Sequence, residues 1–358
     1  MSNSLGRILK LTTFGESHGE GLGFILDGFP AGVNIDIGKI EREMARRKPG
    51  QSKLTSQRKE SDNIKILSGL KEGISLGTPI SVYIENRDNK SKDYDHLEHN
   101  YRPGHADYTY EKKYGIREHR GGGRSSARET ANWVAAGAIA AQLLDKTGIQ
   151  IHSFVKRIGN ISTEKKIDEI DFSLIESNMV RCPDQAIAEK MISHLESVRK
   201  EGDTLGGVIR CVVKNMPIGL GEPVFNKLQS ALAQAMMSIN AAKGFQYGSG
   251  FESAQMKGSQ HNDIYEKRDK VLKTKTNNAG GIQGGISNGE NLYFDVAFKP
   301  ISTIMKDQPS VNDSGEEVIL KGKGRHDPCV VPRAVPIVDA LTAFVLADFY
   351  LLSRTSKI

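Results

Sequence analysis

Gly121-Gly122-Gly123-Arg124-Ser125-Ser126-Ala127-Arg128-Glu129-Thr130 runs straight into an Ala-rich stretch that closes on Leu143 and Leu144. The run Glu129 to Leu144, with Trp133 and Ile139 among its alanines, reads as a long and largely buried helix that Gly148 ends. The three glycines ahead of it make a loop whose backbone can turn sharply or lie close against a ligand. A helix start offers unpaired N–H groups and a partial positive charge. Two arginines and two serines beside it would complete an anion site, with phosphate the natural guest. The plainer alternative is a loop in which a serine only caps the helix. A nucleotide-binding α/β fold would show its signature at such a loop, yet neither GxxxxGK[ST] nor GxGxxG occurs.

Outward from this stretch the two periodicities are mixed. Ile37, Ile40 and Met44 recur at helical spacing after Asp36, Arg46 to Lys48 suit the negative end of a helix dipole, and Pro49-Gly50 stops the segment. Further helices are expected over Phe225 to Ala242 and Val335 to Leu352. Strands are expected over Val208 to Val213 and over Leu292 to Phe298, where Leu292, Phe294, Val296 and Phe298 alternate with Tyr293, Asp295 and Ala297. Asn288-Gly289 just before that strand is a hairpin turn signal. Helices and strands do not alternate regularly, so the fold class is α+β with antiparallel sheets in preference to a doubly wound sheet. No internal repeat, low-complexity linker or Pro-rich hinge interrupts the chain, and one continuous domain over residues 1–358 is expected.

Composition narrows the function. A chain of 358 residues with 38% hydrophobic content can bury a substantial core. Its mean hydropathy is -0.41, and no window is read as reaching the roughly 18 apolar residues of a membrane helix. The start MSNSLGRILKLTTFGESHG lacks the long apolar run of a signal peptide. Cys182, Cys211 and Cys329 share no metal or redox spacing and read as reduced thiols of a cytoplasmic protein. A net charge of +6 favours anionic partners. The basic residues gather at Arg46, Arg47, Lys48, Lys53, Arg58 and Lys59, at Arg117, Arg120, Arg124 and Arg128, and at Arg325 and Arg333, interleaved with Gly, Ser or His. That interleaving suits a compact phosphate site better than a nucleic-acid stripe with stacking aromatics, so a small anionic molecule is expected and neither nucleic acid nor membrane.

Other motifs carry weaker signals. Thr13-Phe14-Gly15-Glu16-Ser17-His18-Gly19 sets a histidine between small residues, where an imidazole titrating near neutrality can protonate a leaving group. Taken alone, such a histidine is more often merely solvated. The adjacent Ser17 and His18 side chains are not expected to face each other, and no GxSxG elbow occurs. Tyr101-Arg102-Pro103-Gly104-His105-Ala106-Asp107 places Arg102 and His105 on one side of a Pro-Gly turn, or else forms a turn closed by an Asp107 to His105 contact. No cysteine or clean carboxylate set accompanies His96, His99 and His105, so no metal is expected. Ser238 to Gly244, Gly280 to Ile286, Lys299 to Thr303 and Gly324 to Cys329, with Arg333 and Asp339 beyond, add backbone donors, cations, hydroxyls and a carboxylate, as a site for two phosphorylated ligands would need.

GESHG at 15 to 19, RPGHAD at 102 to 107, GGGRSSARET at 121 to 130, and GRHDPC with RAVPIVDA at 324 to 340 together resemble the chorismate synthase family, in the family's order, from Gly6 to about Leu352. The resemblance implies helices sandwiched between two antiparallel β-sheets and a homotetramer with one FMN and one substrate per subunit. It implies reduced FMN as cofactor and 5-enolpyruvylshikimate 3-phosphate as substrate. It leaves open whether NADPH reduces the flavin on this chain or an external reductase does. Carried over, FMN meets Arg124, Ser125, Ser126, Asn240, Ala241, Gly284, Lys299, Pro300, Ile301, Ser302, Thr303 and Arg325. Substrate phosphate and carboxylates meet Arg47, Arg102, Arg128 and Arg333. His18 is assigned to the leaving phosphate and His105 to the reduced flavin, while Asp339, with Ser17 and Ser126 nearby, assists the flavin N5 region. Lys53 stands where family members commonly carry Arg, keeping the charge without the bidentate fork, and is left outside the site.

Overall fold

The computed structural model describes residues 3–48, 50, 62–87, 96–268, 271–322 and 327–357. Its centre is the Ala-rich helix Thr130–Leu144, in which every residue but Trp133 and Ala141 is buried. Small side chains all round let neighbours approach it from every direction. Gly137 marks the closest approach: a β-carbon there would fall 2.3 Å from the Ala340 carbonyl oxygen of the C-terminal helix Val331–Ser353. The first helix, Ile37–Arg47, packs on both of these helices, and Asp36 caps it by accepting from the Lys39 N–H.

A five-stranded sheet lies on each side of the helices. The first has the order Ser4–Leu5, Lys10–Gly15, Gly21–Asp27, Ile80–Glu85, Ile64–Ser68. The second has the order Ala242–Tyr247, Leu292–Phe298, Gly207–Lys214, Gln150–Ile158, Ile161–Ser162. Every pairing in both is antiparallel. The Ala-rich helix meets the first sheet and the C-terminal helix meets the second, so the expected α+β sandwich is the observed one. A contiguous core runs through all four layers, from Leu9 and Phe24 to Phe294 and Phe344.

Four local expectations are corrected. The helix expected over Phe225 to Ala242 spans only Leu228–Met237. Ala241 takes a left-handed φ of +66°, and Ala242 pairs with Phe298, so sheet pairing overrides alanine's helix preference. The C-terminal helix starts at Val331, four residues earlier than expected, because Pro332 suits its first turn. Asn288-Gly289 closes no hairpin. Ile286–Asn288 belongs to a separate three-stranded sheet with Ile218–Gly221 and Ile282–Gln283, and the turn hands the chain from that sheet to Leu292–Phe298. Lastly, Val331–Ser353 is long and apolar enough to cross a bilayer, contrary to the composition reading. It is 78% buried over its most apolar window, because it is the inner helix of the sandwich.

Candidate functional site

The triple glycine holds two histidines. Gly121, Gly122 and Gly123 have φ of +63°, +80° and +52°, a left-handed run that glycine alone adopts without strain. A β-carbon on Gly121 would stand 2.2 Å from the His18 ring, and one on Gly122 would stand 3.0 Å from Cε1 of His105. The rings of His18 and His105 therefore lie over consecutive bare positions of one loop. Ser17 Oγ and His18 Nδ1 are 3.0 Å apart, so these adjacent side chains do meet, against the expectation from sequence. His105 Nδ1 lies 2.8 Å from Asp107 Oδ1.

Asp107 governs the RPGHAD turn. It accepts from Arg102 Nε at 2.8 Å and Arg102 Nη2 at 2.7 Å, a bidentate pair, as well as from the Arg102 backbone. Burial would raise the Asp107 carboxyl, but hydrogen bonds from Arg102 and His105 outweigh it and hold the group well below the usual carboxylate range. The site thus contains both the Arg102–His105 juxtaposition and the Asp107 contact that was its alternative.

Around the loop the structure gathers most residues carried over for FMN. Ser126 caps the short turn before the Ala-rich helix, its Oγ accepting from Arg128 N at 3.4 Å. Arg124 donates to Gly15 O and Thr13 Oγ1 of the first sheet and to the Glu129 carboxylate. Asn240 Nδ2 donates to Ser125 O at 2.8 Å, bringing the turn at Ala241 against the glycine loop. The Ala241 carbonyl in turn accepts from Lys299 N at 2.9 Å. Lys299 Nζ donates to Gly104 O at 3.0 Å and to Ser302 Oγ at 2.6 Å, so the 299–303 segment, with Pro300, Ile301 and Thr303, sits against the His105 turn. Burial, with Lys243 nearby, lowers the Lys299 ammonium below its ordinary range.

Three of the four arginines assigned to substrate converge elsewhere on the same scaffold. Asp62, with a fully buried side chain, accepts from Arg47 Nη2 at 2.7 Å and from Arg128 Nη1. Burial would raise the Asp62 carboxyl, but Arg47 and Arg128 hold it at about 2. Arg333 reaches the Arg47 carbonyl at 3.4 Å and donates to the buried Asp327 at 2.5 Å. Asn86 links this cluster to His18: its Oδ1 accepts from Arg128 Nε at 3.0 Å, and its Nδ2 donates to Glu16 O and Gly19 O, both at 2.9 Å. Sequence reasoning missed Asp62, Asn86 and Asp327 as site residues, although Asp327 lies inside a quoted motif.

Other assignments are not brought together. Asp339, 15% exposed, takes Arg46 Nη1 at 3.1 Å and lines a cavity between the first, Ala-rich and C-terminal helices. No described contact joins it to Ser17 or Ser126: the cavity it lines is walled by Gly137 and Ala138, past the first turns of the Ala-rich helix, whereas the glycine loop leads into that helix's start. Burial lifts its carboxyl to about 6 despite Arg46. Gly284 lies in the turn between Gln283 and Ile286, in the small sheet, where its neighbour Gly285 packs on Glu222 and Lys227. Arg325, His326 and Lys53 lie outside the described residues. Among the described residues no group of His, Cys, Asp and Glu could hold a metal ion.

An α+β sandwich with two imidazoles over a glycine loop and a cluster of largely buried arginines has the makings of an enzyme site for a small molecule. The profile of the chorismate synthase family matches residues 9–351. The chorismate synthase of Cytophaga hutchinsonii is 56% identical over 359 residues, covering 100% of both chains. That of Flavobacterium psychrophilum is 57% identical over 352 residues, 98% of each. A solved structure titled "Crystal Structure of Chorismate Synthase" superposes with a TM-score of 0.78 at 33% identity, over 97% of this chain and 92% of the other. The chain belongs to the chorismate synthase family.

Proposed function

We propose that this chain converts 5-enolpyruvylshikimate 3-phosphate to chorismate, eliminating phosphate with reduced FMN bound beside the substrate. The observation that carries this reading is the seating of His18 and His105 on Gly121 and Gly122, with Asn86 tying the His18 loop to Arg128 of the arginine cluster. The described residues suit a flavin phosphate and ring. Arg124 and Lys299 offer cations, Ser125 and Ser302 offer hydroxyls, and the buried Asn240 Oδ1 has no hydrogen-bond partner among the described residues, an acceptor that a ring N–H would satisfy. When bound, reduced FMN supplies electron density to the ring that loses phosphate and is itself neither consumed nor produced.

The residues do the rest. Arg47 and Arg128, brought together by Asp62, and Arg333, held by Asp327 against the Arg47 backbone, neutralise the phosphate and carboxylates. His18 donates a proton to the departing phosphate oxygen as the C–O bond breaks. The C–O electron pair leaves with phosphate, the ring C–H bond breaks with its electron pair becoming the new double bond, and the proton released from carbon balances the one given to phosphate, with no net redox change. The homotetramer that the family resemblance implies would give exposed apolar side chains such as Ile218, Phe225, Phe251 and Leu272 a partner surface to meet. The reduced thiols support a cytoplasmic setting. The test is anaerobic incubation with reduced FMN and 5-enolpyruvylshikimate 3-phosphate, following phosphate and chorismate. Both should appear in equal amounts while the flavin stays reduced; oxidised flavin accumulating in step with product would point to an oxidoreductase instead.

A further inference from the structure

Asn86 follows the strand Ile80–Glu85 and is 9% exposed. Its side chain has one acceptor and two donor hydrogens, and all are used. Nδ2 donates to Glu16 O and Gly19 O, which bracket Ser17 and His18, and Oδ1 accepts from Arg128 Nε. The amide orientation is fixed by its partners, since two carbonyls can only accept and a guanidinium can only donate. Its own N–H bonds to Glu20 O at 3.1 Å, so backbone and side chain grip the histidine loop together. Neither a carboxylate nor an apolar group of the same size could make these three bonds. The next shell is equally specific: Arg128 is shared with Asp62, which also holds Arg47.

Building on the proposed reaction, we infer that Asn86 is a positioning residue that fixes the His18 loop to the arginine cluster, so that the proton donor and the phosphate site keep one geometry. Asn86 touches no reacting atom and acts through His18 and Arg128. The two halves of its role separate chemically. Asn86→Asp keeps an acceptor for Arg128 but loses both donors, freeing the loop alone. Asn86→Ala loses both attachments.

The experiment is steady-state kinetics of wild type, N86D, N86A and His18→Ala with reduced FMN and 5-enolpyruvylshikimate 3-phosphate, alongside thermal unfolding of each. N86D should lower kcat by roughly 10²-fold, the cost of about 1 Å of misplacement, and leave KM near the wild-type value. N86A should lower kcat similarly and also raise KM roughly tenfold, as a hydrogen bond to a charged group is lost. This split between kcat and KM is not expected of a residue that only supports the fold. Wild-type kcat in N86D beside a slow His18→Ala would overturn the inference, as would equal kcat and KM losses in N86D and N86A that follow a common fall in melting temperature. Wild-type phosphate release by His18→Ala would instead overturn the reading of His18 as the acid, and the coupling inferred here falls with it.

Discussion

Gly121 has a φ of +63°, and the His18 ring occupies the space its β-carbon would need. Gly121→Ala therefore strains the loop and displaces the imidazole together, and should slow phosphate release while the rest of the fold stays intact by circular dichroism. The two histidines are expected to separate by function. His18→Ala should slow single-turnover phosphate release by about 10²- to 10⁴-fold, with little change in FMN affinity. His105→Ala should alter the absorption spectrum of bound reduced flavin, and the opposite pattern would reverse the assignment. Asp62 makes a separate prediction. Its carboxyl sits at about 2 in the fold, against about 3.9 for an ordinary Asp. A depressed carboxyl contributes stability that is complete above about pH 4 and drains away as the pH falls toward about 2. Asp62→Asn should remove that acid limb and cost about 3 to 5 kcal/mol at pH 7, because it strands buried Arg47; urea unfolding measures both effects. Among residues, glycine and histidine motifs were legible because each is a short run with its own chemistry. Asp62 and Asn86 were not, since each meets Arg128 across 66 and 42 residues and stands in no local pattern.

The helices show the same division between local and distant causes. The bounds of Ile37–Arg47 followed from its cap and apolar spacing, and those of Thr130–Leu144 from its alanine run, almost to the residue; Gly148, in a left-handed conformation, closes not that helix itself but the 3₁₀ turn Asp145–Thr147 that continues it. The helix Gln185–Lys200 also carried a readable start, with Asp184 accepting from Ile187 N, but it went unread. The end of Leu228–Met237 was not readable, because the strand partner that captures Ala242 lies at Phe298. Packing between helices is most sensitive at Gly137. One methyl there meets the Ala340 backbone at 2.3 Å, which no rotamer change relieves. Gly137→Ala should push the Ala-rich and C-terminal helices apart and cost about 1 to 3 kcal/mol, overcoming alanine's better helix propensity. A rise in the urea midpoint would show that the helices have room to yield.

Across the whole molecule, periodicity indicated antiparallel α+β elements, while the four-layer order was reached only through family resemblance. Strand order is set by partners far apart in sequence, as when Ala242–Tyr247 lies beside Leu292–Phe298. The layers are stitched at one carboxylate near the end of the C-terminal helix: Asp348 accepts from the backbone N–H groups of Arg7, Ile8 and Leu9 at 3.0, 2.9 and 2.9 Å. Asp348→Ala should leave these donors unpaired, cost about 1 to 3 kcal/mol, and raise amide hydrogen exchange at residues 7–9 well before it rises in the second sheet. The same stitch has a consequence during synthesis. Arg7 and Asp348 are 341 residues apart, so at roughly 5–20 residues per second the ribosome delivers the carboxylate on the order of 20 to 70 s after the backbone it must hold. Throughout translation the opening strands wait without their anchor, their apolar faces and free edge open to chaperones, and the sandwich closes only as the last helix emerges.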